Sequence, residues 1–195
     1  INMKIFTFIF TSLFFVSILL VGACFYILWH FGKDLPDYRQ LSKYEPSVVS
    51  RVHAQNGALL KEYSIERRVF VPIDVIPKKI ISAFLSAEDK DFYEHIGVDL
   101  QAIIRALMTN FKNYGKGKRL VGASTITQQV AKNFLLSSEV TFERKIKEAI
   151  LAIRIERAFS KKEILELYLN EIYLGNNSYG IAAAALNYFD KSLDD

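Results

Sequence analysis

Ile5 to Trp29 runs for 25 residues without a charged side chain. Nothing else in the chain limits its fold so strongly. A bilayer core is crossed by about 20 apolar residues in a helix, so this run is long enough to span one. It is too long for the core of a signal peptide, and no small-x-small site closes it. Val21-Gly-Ala-Cys24 has a faint likeness to a lipoprotein cleavage site, but the run stays apolar through Phe25, Tyr26, Ile27, Leu28 and Trp29. Tyr26 and Trp29 fit an interfacial aromatic belt. The expectation is a retained transmembrane anchor over residues 1–31. On its N-terminal side only Lys4 adds charge to the chain start, so charge specifies the orientation weakly. The opening Ile1-Asn2-Met3 leaves Met3, or a point upstream, as the natural start.

The anchor accounts for the slightly high hydrophobic fraction of 51% in this 195-residue chain. The remainder of the chain has the composition of one ordinary domain. A net charge of +4 is too mild for a dedicated nucleic-acid binder. A single cysteine, Cys24, excludes an intrachain disulfide, and His30, His53 and His95 lack metal-ligand spacing.

Residues 32–76 read as a linker and a small β segment. Gly32 to Pro46 is polar with two prolines. Asn56-Gly57, between Ser50–His53 and Leu59–Tyr63, signals a hairpin. Arg67–Val71 adds a short third strand, making a hairpin or meander. Residues 77–195 are helical in pattern. Ile80, Ile81, Phe84 and Leu85 form one stripe. Asp99 caps a helix whose Leu100, Ile103, Ile104, Leu107, Met108 and Phe111 recur on one face. A basic, glycine-broken loop, Lys112–Arg119, comes next. Such a stripe is more often core than membrane-facing, yet beside this loop part of the helix or loop is expected to touch lipid headgroups. Further helices span about Thr141–Phe159, from Ser160 to Gly175, and the alanine-rich Ile181–Phe189.

Leu120–Asn133 holds the first candidate site. Thr125 with Gln128 has the form of a capping box. Ile126, Val130 and Phe134 make an apolar face, and Thr125, Gln129 and Lys132 fall on another. A hydroxyl, an amide and a cation at a helix N-terminus suit a phosphate. The same spacing also serves a solvated face. Two carboxylates stand out. Glu88 continues the Ile80–Phe84 stripe, where partial desolvation would raise its proton affinity towards that of a general base. Glu148 lies four residues after Arg144, at the entrance of an apolar helix, and is either an ion pair or a second acid. Two glutamates with a phosphate site suggest sugar chemistry on a phosphate-activated donor.

Five ordered segments carry a resemblance. Glu88-Asp-x-x-Phe92-x-x-His95-x-Gly97, Gly122-x-Ser124-Thr-Ile-Thr-Gln-Gln129, Arg144-Lys-x-x-Glu148, Lys161-x-x-Ile-Leu-Glu-x-Tyr-Leu-Asn170 and Tyr179-Gly-x-x-Ala-Ala-Ala185 stand in this order. Together they resemble the motifs of the peptidoglycan glycosyltransferases, the family 51 transglycosylases of class A penicillin-binding proteins and of monofunctional enzymes. Ala123 and Asp190 stand where many members have glycine. No Ser-x-x-Lys or Lys-Thr-Gly is present, so this stretch holds no penicillin-binding transpeptidase centre.

The resemblance implies a mainly α, lysozyme-like glycosyltransferase domain, C-terminally truncated within 77–195. It implies polymerisation of lipid II by inverting transfer, with pyrophosphate-lipid as leaving group. Glu88 would be the base and Glu148 would act on the donor side. Asp89, Phe92 and His95 would support the first motif. Thr125, Gln129 and Lys132 would hold donor pyrophosphate, with charge added by Arg144 and Lys145, and Ser124 and Gln128 would also bind substrate. No cofactor is required and no metal site is visible, although a divalent metal on the donor pyrophosphate is compatible with this chemistry. The implied partners are lipid II, the growing glycan strand, the membrane and other cell-wall synthesis proteins, with no nucleic acid. The implied place is the bacterial inner (cytoplasmic) membrane, crossed once, with the domain on its outer, periplasmic face. A lysozyme-like muramidase, and an inactive truncated remnant that only binds lipid II or cell-wall partners, remain as alternatives.

Overall fold

The computed structural model describes residues 3–43, 50–57, 59–63, 67–137, 139 and 141–193. The apolar run becomes one helix, α1 (Met3–Gly32), with no buried residue. At about 1.5 Å per residue it is about 45 Å long, enough to cross a bilayer. Tyr26 lies 6.3 Å from Trp29 and stacks on His30 at 5.6 Å, and Lys33 sits 5.4 Å from the Trp29 ring. An aromatic group capped by a cation is what a membrane interface favours.

The polar segment after α1 is not a loose tether. Residues 38–43 form a 3-10 turn, Leu41 is buried, and Leu35 and Tyr38 pack on the same core. Arg154 donates to the Gly32 carbonyl at 3.1 Å, closing the end of α1. Polarity and two prolines suggested a linker; three apolar side chains at 35, 38 and 41 bind it down instead. Residues 44–46 of that segment lie outside the described residues.

Strands β1 (Ser50–His53) and β2 (Leu59–Tyr63) pair antiparallel, from Ser50 opposite Tyr63 to His53 opposite Leu59. Gly57 turns the chain at φ +81°, as the hairpin signal requires. The third strand departs from the expected meander. β3 (Arg67–Arg68) leaves the hairpin and pairs in parallel with β4 (Ser178–Tyr179). Asn170 explains why the chain lies there: its amide donates to Val71 O at 2.9 Å and accepts from Val71 N at 2.8 Å.

The rest is mainly α, as the periodicity predicts. The helices are α2 (Lys78–Glu88), α3 (Leu100–Lys112), α4 (Ile126–Leu135), α5 (Phe142–Ala158), α6 (Lys161–Glu171) and α7 (Ile181–Phe189). Asp99, Thr125, Thr141 and Ser160 each cap the helix they precede. The core gathers Phe92, Ile126, Val130, Leu151, Ile155, Ile164, Leu165 and Leu169, with α4 packed on both α5 and α6. α6 stops at Glu171, short of Gly175, because Leu174 N and Gly180 N bond Ser178 O and Ile172 O and turn the chain into β4. Gly180 has φ +79°, and a Cβ there would stand 2.6 Å from Asn170 O, so only glycine lets α7 begin against α6.

The α3 stripe is not core. Leu100, Ile104, Leu107, Met108 and Phe111 are exposed, Phe111 at 87%, and only Ala106 is buried. Their periodicity was right, but among the described residues no element covers that face.

Candidate active site

α2 ends at Glu88, and the next nine residues form a tightly held loop. Asp89 is buried. Its Oδ2 accepts the Ile126 N–H at 2.9 Å, and both its oxygens lie 3.0 Å from His95 Nε2. Gly97 N–H points at His95 Nδ1 at 3.1 Å. That nitrogen is therefore an acceptor, which places the ring proton on Nε2, towards Asp89. Phe92 is fully buried. Gly97 has φ +94°, and a Cβ there would meet the Ala152 carbonyl at 2.6 Å. The glycine spacing of this segment thus follows from contact with α5.

The start of α4 differs from the expected phosphate cradle. The Thr125 hydroxyl donates to Gly97 O at 2.6 Å and accepts from Gln128 N at 3.1 Å; in return Gln128 Oε1 accepts the Thr125 N–H at 3.0 Å. The capping box is real, but both side chains are buried and committed to it. Asp89 fills the first helical amide. A carboxylate of the chain itself therefore occupies the positive end of this helix; Gln128 lies beneath the ridge, while Thr125, though buried, still lines the pocket that Glu88 lines. Gln129 and Lys132, further along, remain partly accessible.

Glu88 also differs from expectation. It is exposed, not desolvated. The apolar spacing from Ile80 and Phe84 holds only while α2 lasts, and Glu88 is its last residue, beyond the contact with the core. Its Oε2 accepts from Gln129 Nε2 at 2.9 Å. It stands on the wall of a pocket of about 130 Å³ that Lys90, Asp99, Arg105, Gly122 and Ser124 also line. Arg105 braces this wall through Asp91 at 3.1 Å and Asp99 at 3.3 Å.

Glu148 is the buried acid. It is 1% exposed, and the Arg144–Glu148 pair expected from the spacing is present at 3.0 Å. Arg144 Nε and Glu148 Oε1 lack hydrogen-bond alignment there, so their contact is electrostatic. Lys145 pairs with the other oxygen of Glu148 and donates to Ser124 Oγ at 3.1 Å. Glu148 thus reaches the surface only through two cations, one of which touches the pocket wall. Among the described residues no three His, Cys, Asp or Glu side chains gather as a metal cluster.

Tyr168 of α6 lies under this region, its ring 6.2 Å from Phe84. Burial, then the charges of Glu88 and Asp89, push its phenol well above the ordinary value of 10.0. The sequence gives no hint of that proximity. It does hint at one further group: the Ser160–Glu163 box puts Lys161 at a helix N-terminus, where a cation is out of place.

Of the expected site residues, Glu88, Ser124, Gln129, Arg144, Lys145 and Glu148 surround or support the open side, and Lys132 lies further along α4, partly accessible. Phe92, His95 and Gln128 form its scaffold, and the buried Asp89 and Thr125 both hold that scaffold and line the pocket. The family profile described as Transglycosylase matches residues 56–195. The chain is similar to penicillin-binding protein 1A of Rickettsia felis, 55% identical over 183 residues, covering 93% of this chain and 23% of that protein. It is also similar to penicillin-binding protein 1A of Aquifex aeolicus (50% over 159 residues; 82% and 22%) and of Neisseria lactamica (43% over 192 residues; 98% and 24%). It spans about a quarter of the length of these relatives.

Proposed function

Because the chain belongs to the transglycosylase family, we propose that it is a peptidoglycan glycosyltransferase that polymerises lipid II. One observation carries the mechanism: the Glu88 carboxylate and the Ser124 hydroxyl, the latter bonded to Lys145, line the same pocket. A base thus lines the pocket, and an anion-stabilising cation is tied to its wall through Ser124.

Glu88 takes the proton from the acceptor sugar's 4-hydroxyl. That oxygen forms a bond to the donor's anomeric carbon from the face opposite the leaving group, with inversion. The bond from that carbon to pyrophosphate breaks, and its electron pair leaves on the pyrophosphate oxygen. Gln129 orients Glu88 by holding Oε2. Lys145, Arg144 and Lys132 oppose the charge that develops on the leaving group. Glu148 acts by holding Arg144 and Lys145, so it is a positioning residue. A divalent cation that takes part would ride on the pyrophosphate of the substrate. The exposed α3 stripe and the Lys112–Arg119 loop rest on lipid, α1 crosses the inner membrane once, and the domain faces the periplasm. Lipid II, the glycan strand and cell-wall synthesis proteins are the partners.

Incubating the protein with labelled lipid II tests this. Polymer supports the proposal. Cleavage of finished glycan would make it a muramidase, and binding without turnover would make it a remnant.

A further inference from the structure

A part-buried ion pair lies beneath the loop after Glu88. Lys161 Nζ donates to Glu156 Oε1 at 2.7 Å and to the His95 carbonyl at 2.7 Å, and stands 4.4 Å from the centre of the Phe92 ring. The Glu156 side chain is 6% exposed, and the same oxygen accepts the Thr127 hydroxyl at 2.6 Å. One pair therefore touches three segments at once. These are the loop beginning at Glu88, helix α4 with Gln129, and helix α5 with Arg144, Lys145 and Glu148.

Stability does not explain this arrangement well. Lys161 is the first residue of α6, where a cation opposes the helix dipole. Desolvation of the Glu156 carboxylate offsets much of the attraction in the pair. What such a pair supplies is direction. Two bonds and a ring contact on one ammonium tie the loop to α5 and α6. With the His95 carbonyl fixed, its ring is set against Asp89, and Asp89 is bonded to Glu88 in the chain.

We infer that Lys161, locked by Glu156, is a positioning residue that sets Glu88 against the groups on α4 and α5. This rests on the glycosyl transfer proposed above. A displacement of about 1 Å at a reacting group can cost about 10²-fold in rate, so a loosened loop should lower kcat and leave substrate binding largely intact.

Lys161→Met alone strands a buried carboxylate, so it is paired with the neutral double variant Glu156→Gln/Lys161→Met. Lys161→Arg keeps the charge. Each is measured for kcat and KM on lipid II, and for amide hydrogen exchange. In the folded double variant, kcat should fall about 10- to 100-fold with KM within about twofold. Exchange at residues 92–97 should rise at least about tenfold while α6 is unchanged. Lys161→Arg should restore most of kcat. A folded double variant with wild-type kcat, or a fall in kcat with no change in exchange at the loop, would overturn the inference. If the wild type makes no polymer, the proposed function fails first. The exchange experiment then decides by itself whether Lys161 holds the loop: rapid exchange supports that hold, and unchanged exchange removes it.

Discussion

Asp89 Oδ2 lies 2.9 Å from the backbone nitrogen of Ile126, so the residue next to Glu88 closes the first amide of α4. The same carboxylate holds His95. Asp89→Asn keeps the shape but removes the charge opposite a helix N-terminus and leaves two N–H donors facing an amide. A hydrogen bond to a charged group is worth about 1.5–3 kcal/mol. The expected result is a loss in that range in denaturant unfolding, with activity falling as the loop loosens. Wild-type stability in Asp89→Asn would show that the bond carries little.

The two glutamates should separate cleanly. Glu88→Gln keeps its bond to Gln129 and cannot accept a proton. Its exposed position predicts an unchanged melting curve, with a rate about 10²–10⁴-fold lower on lipid II. Glu148→Gln removes a buried anion from between Arg144 and Lys145. Breaking a buried pair costs about 3–5 kcal/mol, and the half-exposed Lys145 puts this one at the lower end. Matched melts and polymerisation assays check both. Full activity in folded Glu88→Gln would remove it as the base.

Tyr168 gives a pH dependence with a definite sign. Its phenol titrates at higher pH folded than unfolded, since burial and the Glu88 and Asp89 charges favour the neutral form. The contribution to stability is whole below pH 10.0, the ordinary tyrosine value, and is lost as pH rises beyond it. Melting temperatures from pH 8 to 11 should fall more steeply above pH 10 for wild type than for Tyr168→Phe. Parallel curves would contradict this.

The α3 face can be tested without the anchor. A version lacking residues 1–31 should co-sediment with anionic vesicles and release with salt, because Lys112, Lys116, Lys118 and Arg119 each add about 1 kcal/mol near such a surface. Phe111→Glu should weaken it. No binding to anionic vesicles would refute lipid contact by this face.

Helix positions and caps were legible in the sequence because they depend on neighbours three and four residues apart. Asp99, Thr125 and Ser160 cap as their spacing predicts, and Thr141, read only as the start of a helix, caps as well. The chemistry of the site was less so. Whether Glu88 is desolvated depends on where α2 stops meeting the core, and whether an α4 amide is free depends on Asp89, 37 residues away. Likewise, the α3 stripe states only that one face is apolar; what covers that face is a matter of tertiary structure. The third strand went to β4 because Asn170, 99 residues from Val71, holds the chain there.

The bond from Arg154 to the last carbonyl of α1 has a kinetic consequence. A domain on a flexible leash samples a hemisphere of solution around its tether. This one, seated on the end of its own anchor, travels as a raft. Its encounters with anything held in the same leaflet are governed by copies per unit area and by lateral diffusion, so diluting the surrounding solution should not slow them, whereas adding lipid should.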